Sequence, residues 1–596
     1  MMKPIASKAI PKGKEWLYEV KYDGFRCTLQ WDQASIQLIS KNNKDLTNKF
    51  PEIIADCRSQ QEGLIKYLPL QLDGELVIMN NNIQANFGWV QKRGRMKTKE
   101  VIEEAARNRP ASLQLFDITK IQGKPLEQQT LTQRKRFLTQ LFKEVKFSRL
   151  HNVPCEENSH FLWDRVFMNK GEGIIAKRKS SAYKSGKNHQ DWFKIKNWRK
   201  LHGFLTAFHT ANSYFTVGVF DGNNVLEIGK CKHGLESKTF QTLTDIFRSK
   251  GEKQGDKYIL PPAICAEIHS LDLYEQELRE PEFVAILPDM NAQDVTLEQL
   301  RIDMAMLPEK IDLTNTTKTF WPEPDYTKGD LLTYIREITP YLLPHVRNRA
   351  LTVIRAPDGV EAEHFFQKHL PNYAPAFIPR QMNKESSLIL CNTLDSLIWF
   401  ANHGAVEFHV PFQTINRAMP QEIVFDLDPP HRDSFPLAVK AAQIMKPLLD
   451  DLDLISFVKT SGNKGLQIYI PIPPNSMTYE QTALFTQLIA WTMENAYPDL
   501  FTTERMKNKR KNRLYIDYVQ HGKNKTIIAP YSPRLAPEGT VATPLFWEEI
   551  NAELTPSLFT ISNVVDRVKS LGCPFSSYED AKKKQNLEKI LQLLTR

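Results

Sequence analysis

The chain has 596 residues, 41% hydrophobic and 25% charged, with a formal net charge of +9. That length exceeds one core and predicts roughly three to four domains, while the composition excludes a collagen-like, disordered or disulfide-dense protein. Seven scattered cysteines form no CxxC pair, no run of eighteen apolar residues predicts a membrane span, and MMKPIASKAIPKGKEW lacks the apolar core of a secretory signal, so a reduced, cytosolic protein is expected.

From Tyr18 to about Asn197 the pattern is strand-rich with interspersed helices. WLYEVKYDGFRCTLQW, IQLIS, LQLDGELVIM, SLQLFDI and GIIAKR predict strands. TLTQRKRFLTQLFKEV predicts a helix with Leu131, Phe137, Leu138, Leu141 and Phe142 on one face. SHFLWDRVFMNKGEG predicts a second, ended by glycine. From about Trp198 to Pro288, short strands broken by one helix around SKTFQTLTDIFRSK suit a small Greek-key barrel of the OB type. PDMNAQDVTLEQLRIDMAMLPEKIDLTN breaks the strand pattern and reads as an inter-domain linker, with a new folding unit from Asp312. Beyond it, GDLLTYIREITPYLLPHV, SFPLAVKAAQIMKPLLDDL and TYEQTALFTQLIAWTMENAY predict helices; EIVFDLDPP, ISFVKTSGNKGLQIYIPIP and RLYIDYV predict strands; the final YEDAKKKQNLEKILQLLTR predicts a solvated helix.

KYDGFR sets Lys21, Asp23, Gly24 and Arg26 at the end of an apolar strand. It reads either as a hairpin turned on Asp-Gly or as a nucleophilic lysine held over a phosphate. Four further short strands that end in charge follow in order: Asp73 and Glu75, Phe116 and Asp117, Glu172 and Lys177, Lys194 and Lys196. Attack by an amine on an α-phosphate needs such a set. Burial and nearby cations favour a neutral amine, and the same cations with a divalent metal stabilise charge as pyrophosphate leaves. Glu75 suits a ribose hydroxyl, Phe116 offers a flat face to a purine, and Glu172 suits a hard metal.

These ordered motifs resemble the ATP-dependent DNA ligases, a family that belongs to the covalent nucleotidyltransferases together with RNA ligases and capping enzymes. The resemblance implies a lysyl-AMP adduct at Lys21, Arg26 and Glu75 at the ribose, Phe116 stacked on adenine, Glu172 at the metal, and Lys194 and Lys196 at the α-phosphate. Two positions depart from it. Ser40–Lys41 stands where a serine–arginine pair is common, and ELREPEFVAILPDM keeps Arg279 but has Leu287 in place of a second arginine. The stretch Lys177–Lys200 carries nine Lys/Arg against one acid, Asp191, with aromatics between them, and reads as a track for a polyanion.

IVFDLDPP sets Asp426 and Asp428 two apart on an apolar strand, hence on one face, and Asp517 ends a third apolar run. Adjacent carboxylates repel, and a divalent cation is their natural neutraliser. A DxD alone reads more readily as an edge strand ending in a polar turn. KTSGNKGLQ adds Ser461 and Lys464 in a glycine-rich turn, RMKNKRKNR packs six Lys/Arg into Arg505–Arg513, and APYSPR adds Ser532 and Arg534. Together these resemble the polymerase module of the bacterial DNA ligase D family, of the archaeo-eukaryotic primase class. By that resemblance Asp426, Asp428 and Asp517 hold catalytic metals, and Ser461, Lys464, Ser532 and Arg534 surround a nucleoside triphosphate. Lys328, His345, Arg347 and Arg349 become candidates for DNA phosphates, and Gln467 replaces the histidine that the family places against a phosphate.

The expected fold class is α+β multidomain. It comprises a ligase adenylation domain over 1–198, an OB-fold β-barrel over 199–290, a linker over 291–311 and a primase-type polymerase α/β domain over 312–596. The family implies ATP and Mg2+ or Mn2+ as cofactors. Its implied partners are double-stranded DNA ends, nicks and short gaps, nucleoside triphosphates and a Ku homodimer, with no membrane and a cytoplasmic, nucleoid-associated place of work. An RNA ligase or capping-type enzyme with an appended primase, and a DNA-end scaffold with relic catalytic residues, are the alternative readings.

Overall fold

The strands of the first constellation divide between two sheets. In the computed structural model, which describes residues 1–274, 276–383 and 386–595, one sheet runs Ile5–Ala6, Trp192–Lys196, Gly173–Arg178, Trp16–Val20. The other runs Ile36–Ser40, Phe25–Trp31, Leu70–Val77, Ser112–Ile121, Lys124–Pro125. Trp16–Val20 and Phe25–Trp31 therefore form no hairpin, and KYDGFR is the crossing from one sheet to the other. A Cβ on Gly24 would lie 2.2 Å from the Leu76 carbonyl oxygen, so only glycine lets the crossing run against Leu70–Val77.

A third sheet orders Asn224–Cys231, Tyr214–Asp221, Arg199–His209, Lys257–Ser270 and Glu252–Gln254, with Glu282–Ile286 also on Lys257–Ser270. Irregularities in register near Leu205, Val217 and Glu267 curl it, as bulges do in small barrels. The helix Ser237–Lys250 sends Leu243 and Phe247 into its core. This is the OB-type barrel.

Two expectations need correction here. Much of the predicted linker is barrel: the helix Leu297–Ala305 buries Leu300 and Met304, and Ala292 and Val295 join the same core. Apolar residues at helical spacing closed the barrel where the loss of strand pattern suggested a connection. The two compact units of the chain accordingly divide at Met306 and Leu307. The helix Leu131–Glu144 buries Leu131, Arg134, Lys135, Leu138 and Leu141, whereas Phe137 is 39% exposed. Buried ion pairs admit Arg134 and Lys135 to the inward stripe, which rotates Phe137 out.

In the second unit a six-stranded sheet orders Phe501–Thr502, Leu514–Asp517, Glu422–Asp428, Leu466–Pro471, Phe457–Thr460, Pro544–Leu545. The helices Phe435–Asp451 and Tyr479–Ala496 pack on it. A second sheet orders Phe365–Gln367, Thr352–Arg355, Ala405–Pro411, Thr526–Ile528. The C-terminal segment is not one solvated helix. It breaks into Tyr578–Lys584 and Glu588–Thr595, and Tyr578, Ala581, Leu587 and Ile590 are buried. Among the described residues no helix is long and apolar enough to cross a membrane.

Candidate active sites

Lys21 directly follows the strand Trp16–Val20, and its backbone N–H bonds to the Gly173 carbonyl at 2.9 Å. Its side chain enters a cavity of about 530 Å3 whose walls include Arg26, Glu75, Phe116, Glu172, Lys194 and Arg279. That volume suits a small organic ligand. The Lys21 Nζ donates to Glu172 Oε1, while Glu172 Oε2 is buried without a partner. Burial pushes the Glu75 carboxyl up to about 7 against the pull of Lys21 and Arg26. Lys194 is lowered by partial burial and by the neighbouring charges of Lys196 and Lys21. Lys41 also lines the cavity. Arg279 forms a bidentate pair with Asp23 and lies 3.9 Å over the Phe87 ring.

Two placements differ from expectation. Lys196 is not a wall residue, because Glu280 takes its ammonium at 2.8 Å. Arg26 is committed to Asp73, Nε at 3.1 Å and Nη2 at 2.6 Å, and stacks 5.2 Å over Phe116. Its guanidinium thus lies against the Phe116 ring as well as forming a wall of the cavity.

Around Phe116 lies a buried ionic layer that sequence reasoning missed. Asp117 takes a bidentate pair from Arg134 at 2.8 and 2.9 Å, both side chains fully buried. Glu19 accepts from Lys135 at 2.8 Å and Lys177 at 2.6 Å. Burial raises the Glu19 carboxyl, but the two lysines outweigh it and hold it below the ordinary value. The Lys177 Nζ stands 4.5 Å from the Phe116 centroid and 4.2 Å from that of Trp192, and Glu19 and Lys177 both line the cavity, so the aromatic wall carries a paired cation beside it. Tyr183 Oη donates to Asp73 Oδ2 at 2.6 Å. The basic run Lys177–Lys200 is therefore only partly outward: Lys177 and Arg199 are buried, four of its nine cations are half-buried, and Lys184, Lys187 and Lys200 are exposed.

In the second unit, Asp426 is paired in register with Asp517 on one neighbouring strand and Gln467 on the other, so the three share a face. Asp428, two residues on, lies on the same face. Burial pushes the Asp426 carboxyl up to about 7; Gln467 Nε2, donating at 3.1 Å, opposes this, and the charges of Asp517 and Asp428 reinforce it. Asp517 is raised too, chiefly by burial. Each carboxylate has a protein partner: Lys464 at 2.9 Å and Arg510 at 3.1 Å on Asp428, and Tyr515 Oη at 3.1 Å and the Gln520 N–H at 2.8 Å on Asp517. Among the described residues no three acidic, histidine or cysteine side chains converge around one point. The donor set itself, three carboxylates on one face with ionisation opposed by burial and by one another, fits a hard divalent cation. Lys464, expected at a phosphate, instead bonds Asp428 and the Pro429 carbonyl, the latter at 2.6 Å.

The turn from Ser461 to Gly465 is tight. Ser461 Oγ accepts from the Gly465 N–H at 3.0 Å, and Gly462 has φ +71° with Ala542 N 2.8 Å from where a Cβ would sit. Arg534 stays beside it, its Nε 3.1 Å from Glu407 Oε1. Other residues are placed elsewhere than predicted. Ser532 is fully buried, accepts the Phe408 N–H at 2.9 Å and donates to the Pro533 carbonyl at 3.1 Å, so its hydroxyl braces backbone. Lys328 is buried against Thr314, and burial lowers it to about 8. His345 packs edge-on to Phe575 and Tyr578, and burial pushes it down to about 3. Arg349 is consumed by Glu422 and the Pro411 carbonyl. Of that predicted DNA-facing group, Arg347 is exposed.

Two family models match the chain: an ATP dependent DNA ligase domain over residues 2–196 and a LigD primase-polymerase domain over residues 327–575. The bifunctional non-homologous end joining protein LigD of Bacillus subtilis is 39% identical, across 100% of this chain and 99% of its own length. A multifunctional non-homologous end joining protein LigD of Pseudomonas aeruginosa is 23% identical over 94% of this chain and 70% of its own. Among solved structures, the polymerase domain from Mycobacterium tuberculosis ligase D in complex with DNA matches 47% of this chain and 100% of its own, at 28% identity and a TM-score of 0.43.

Proposed function

The chain belongs to the LigD family of bifunctional non-homologous end joining proteins, with an ATP-dependent DNA ligase domain and a primase-polymerase domain; from that premise we propose how its residues divide the work. Lys21 is the nucleophile of the ligase domain. Its amine attacks the α-phosphorus of ATP, a P–N bond forms, and pyrophosphate leaves with the bonding electrons. The AMP then passes to the 5′-phosphate of a DNA break, and the 3′-hydroxyl displaces it to close the phosphodiester. Glu75 and Arg26 hold the ribose, Phe116 stacks on adenine, and Lys194 and Arg279 face the phosphates. Lys196 reaches the α-phosphate on leaving Glu280. The orphaned Glu172 Oε2 supports an oxygen-ligated metal there. A bound Mg2+ or Mn2+ would offset negative charge on the phosphates.

Asp426, Asp428 and Asp517 hold the metals of the polymerase domain, and the Ser461–Gly465 turn with Lys464 and Arg534 receives the triphosphate of an incoming nucleotide. Ser532 supports that site from behind. The substrates are double-stranded DNA ends, nicks and short gaps, the partner is a Ku homodimer, and the place of work is the cytoplasm, at the nucleoid. The observation that carries the reading is one cavity that brings Lys21, Glu75, Phe116, Glu172 and Lys194 together from separate strands. Mass spectrometry after incubation with ATP and Mg2+ tests it: the mass of AMP is expected on the peptide bearing Lys21. An unmodified Lys21 would remove the ligase assignment.

A further inference from the structure

The segment predicted to carry a polyanion exposes three of its nine cations, whereas a different, shorter segment exposes four of five. The helix Phe87–Arg95 begins at the nucleotide cavity, where Phe87 is a wall residue. At ~1.5 Å per residue its last turn lies about 12 Å from that start. Residues 76–99 contain no Asp or Glu, and five cations fall at Lys92, Arg93, Arg95, Lys97 and Lys99. Arg93 has a structural task. It is fully buried and bonds the Lys49 carbonyl and Glu52, each at 3.0 Å. Lys49 in turn donates to the Met96 carbonyl, so the helix end is fastened to the turn Thr47–Lys49. The other four cations are exposed. Lys99 has Glu103 at 3.8 Å, while Lys92, Arg95 and Lys97 have no carboxylate partner among the described residues. Lys92 rests its ammonium 4.6 Å over the Trp89 ring.

An exposed charged face is usually only a solvated one. Some solvated faces of this chain pair their signs, as Lys582 does with Glu579 at 2.7 Å and Lys446 with Asp450. Here one sign stands alone on an element clamped by a buried arginine, and that element leads out of the cavity where the broken strand must present its phosphate. Lys41, a cavity wall residue, and Lys44 extend the same sign along the exposed turn after Ile36–Ser40.

We propose that Lys92, Arg95 and Lys97 are a phosphate-binding track for the DNA duplex whose break is sealed at Lys21. The inference rests on the ligase reading and adds to it the surface that grips the substrate. Contacts of this kind act by releasing counterions, are indifferent to base sequence and weaken steeply with salt.

The test uses the full chain, first adenylylated with ATP, then given a nicked duplex in single-turnover sealing over a range of KCl. The triple variant Lys92→Gln/Arg95→Gln/Lys97→Gln is compared with the parent and with Lys92→Arg/Lys97→Arg. The triple variant is expected to form the Lys21 adduct at the parental rate and to need far more nicked DNA for half-maximal sealing. The log–log salt dependence of that requirement is expected to flatten by roughly 2–3, about 0.9 for each lost contact. The arginine variant is expected to behave as the parent. Unchanged DNA requirement and unchanged salt slope in the triple variant would overturn the track. Loss of the adduct in the parent would instead strike at the ligase reading, so the two failures are distinguishable.

Discussion

The two candidate sites, each proposed to receive a polyanionic nucleotide, present opposite signs of charge. Around Lys21 the protein supplies its own cations: Arg26, Lys41, Lys194 and Arg279 share the cavity wall with Glu75 and Glu172. Around Asp426 it supplies carboxylates, and two protein cations, Lys464 and Arg510, already occupy Asp428. The first is a surface ready for phosphate. The second becomes one only when positive charge is added from outside. The ligase site accordingly has buried, paired ions around Phe116, whereas the polymerase site keeps Asp426 and Asp517 raised by burial.

The sharpest way to break that contrast is to disable each site alone. Lys21→Ala is expected to abolish AMP transfer, at least about a thousandfold, and to leave nucleotide addition intact. Asp426→Ala is expected to do the reverse. Radiolabelled ATP for the adduct and primer extension for addition read the two; a joint loss in either variant, with folding preserved, would merge the sites into one.

Next in size is the ionic layer. Arg134→Met leaves Asp117 charged and buried, and is expected to destabilise the first unit by about 3–5 kcal/mol in denaturant unfolding. Lys179→Met, at the exposed pair with Glu157, is expected to change stability by less than about 1 kcal/mol. Equal effects would deny the layer its role.

The polymerase site offers a test with the sign set by linkage. Asp426 has a folded value raised to about 7, above about 3.9 in the unfolded chain. Between these values the folded state holds the extra proton, so stability contributed at low pH is lost as pH rises from about 4 to 7. In EDTA, Asp426→Asn is expected to gain stability over the parent at pH 8, by up to about 4 kcal/mol, with the gain vanishing near pH 4. A pH-independent difference would remove Asp426 as the group responsible.

The smallest effect is expected for Tyr183→Phe, which removes one of three hydrogen bonds to Asp73. Arg26 would lose part of its anchor, and the ATP concentration for half-maximal adduct formation should rise by roughly 3–10-fold. Nucleotide addition in the same variant is expected not to move.

Much of the candidate chemistry was legible because it is written in short, local patterns. Lys21 at a strand end and Asp426 and Asp428 at period two need only neighbouring residues to be recognised. Other placements were not legible. The predicted contacts of Lys328, Arg349 and Ser532 failed because their polar atoms met Thr314, Glu422 and the Phe408 N–H, partners 14, 73 and 124 residues away. Arg134 is absent from the face predicted for its helix, since nothing local announces Asp117 on another element. The Asp-Gly pair after Lys21 looked like a turn because a crossing between sheets has no signature of its own.

What the sequence determined by itself was the kind of chemistry available and the order in which it is met: an amine and phosphate-binding cations first, paired carboxylates later, on alternating elements set by backbone periodicity. What only the tertiary structure decided was which charges are spent internally and which remain for substrate. That choice depends on register between strands distant along the chain and on burial, which makes a partner obligatory for any charge removed from water. For that reason the Lys177–Lys200 run spends most of its cations in whole or in part on the interior, while the shorter Lys92–Lys99 stretch buries Arg93 alone and keeps its other four cations outside.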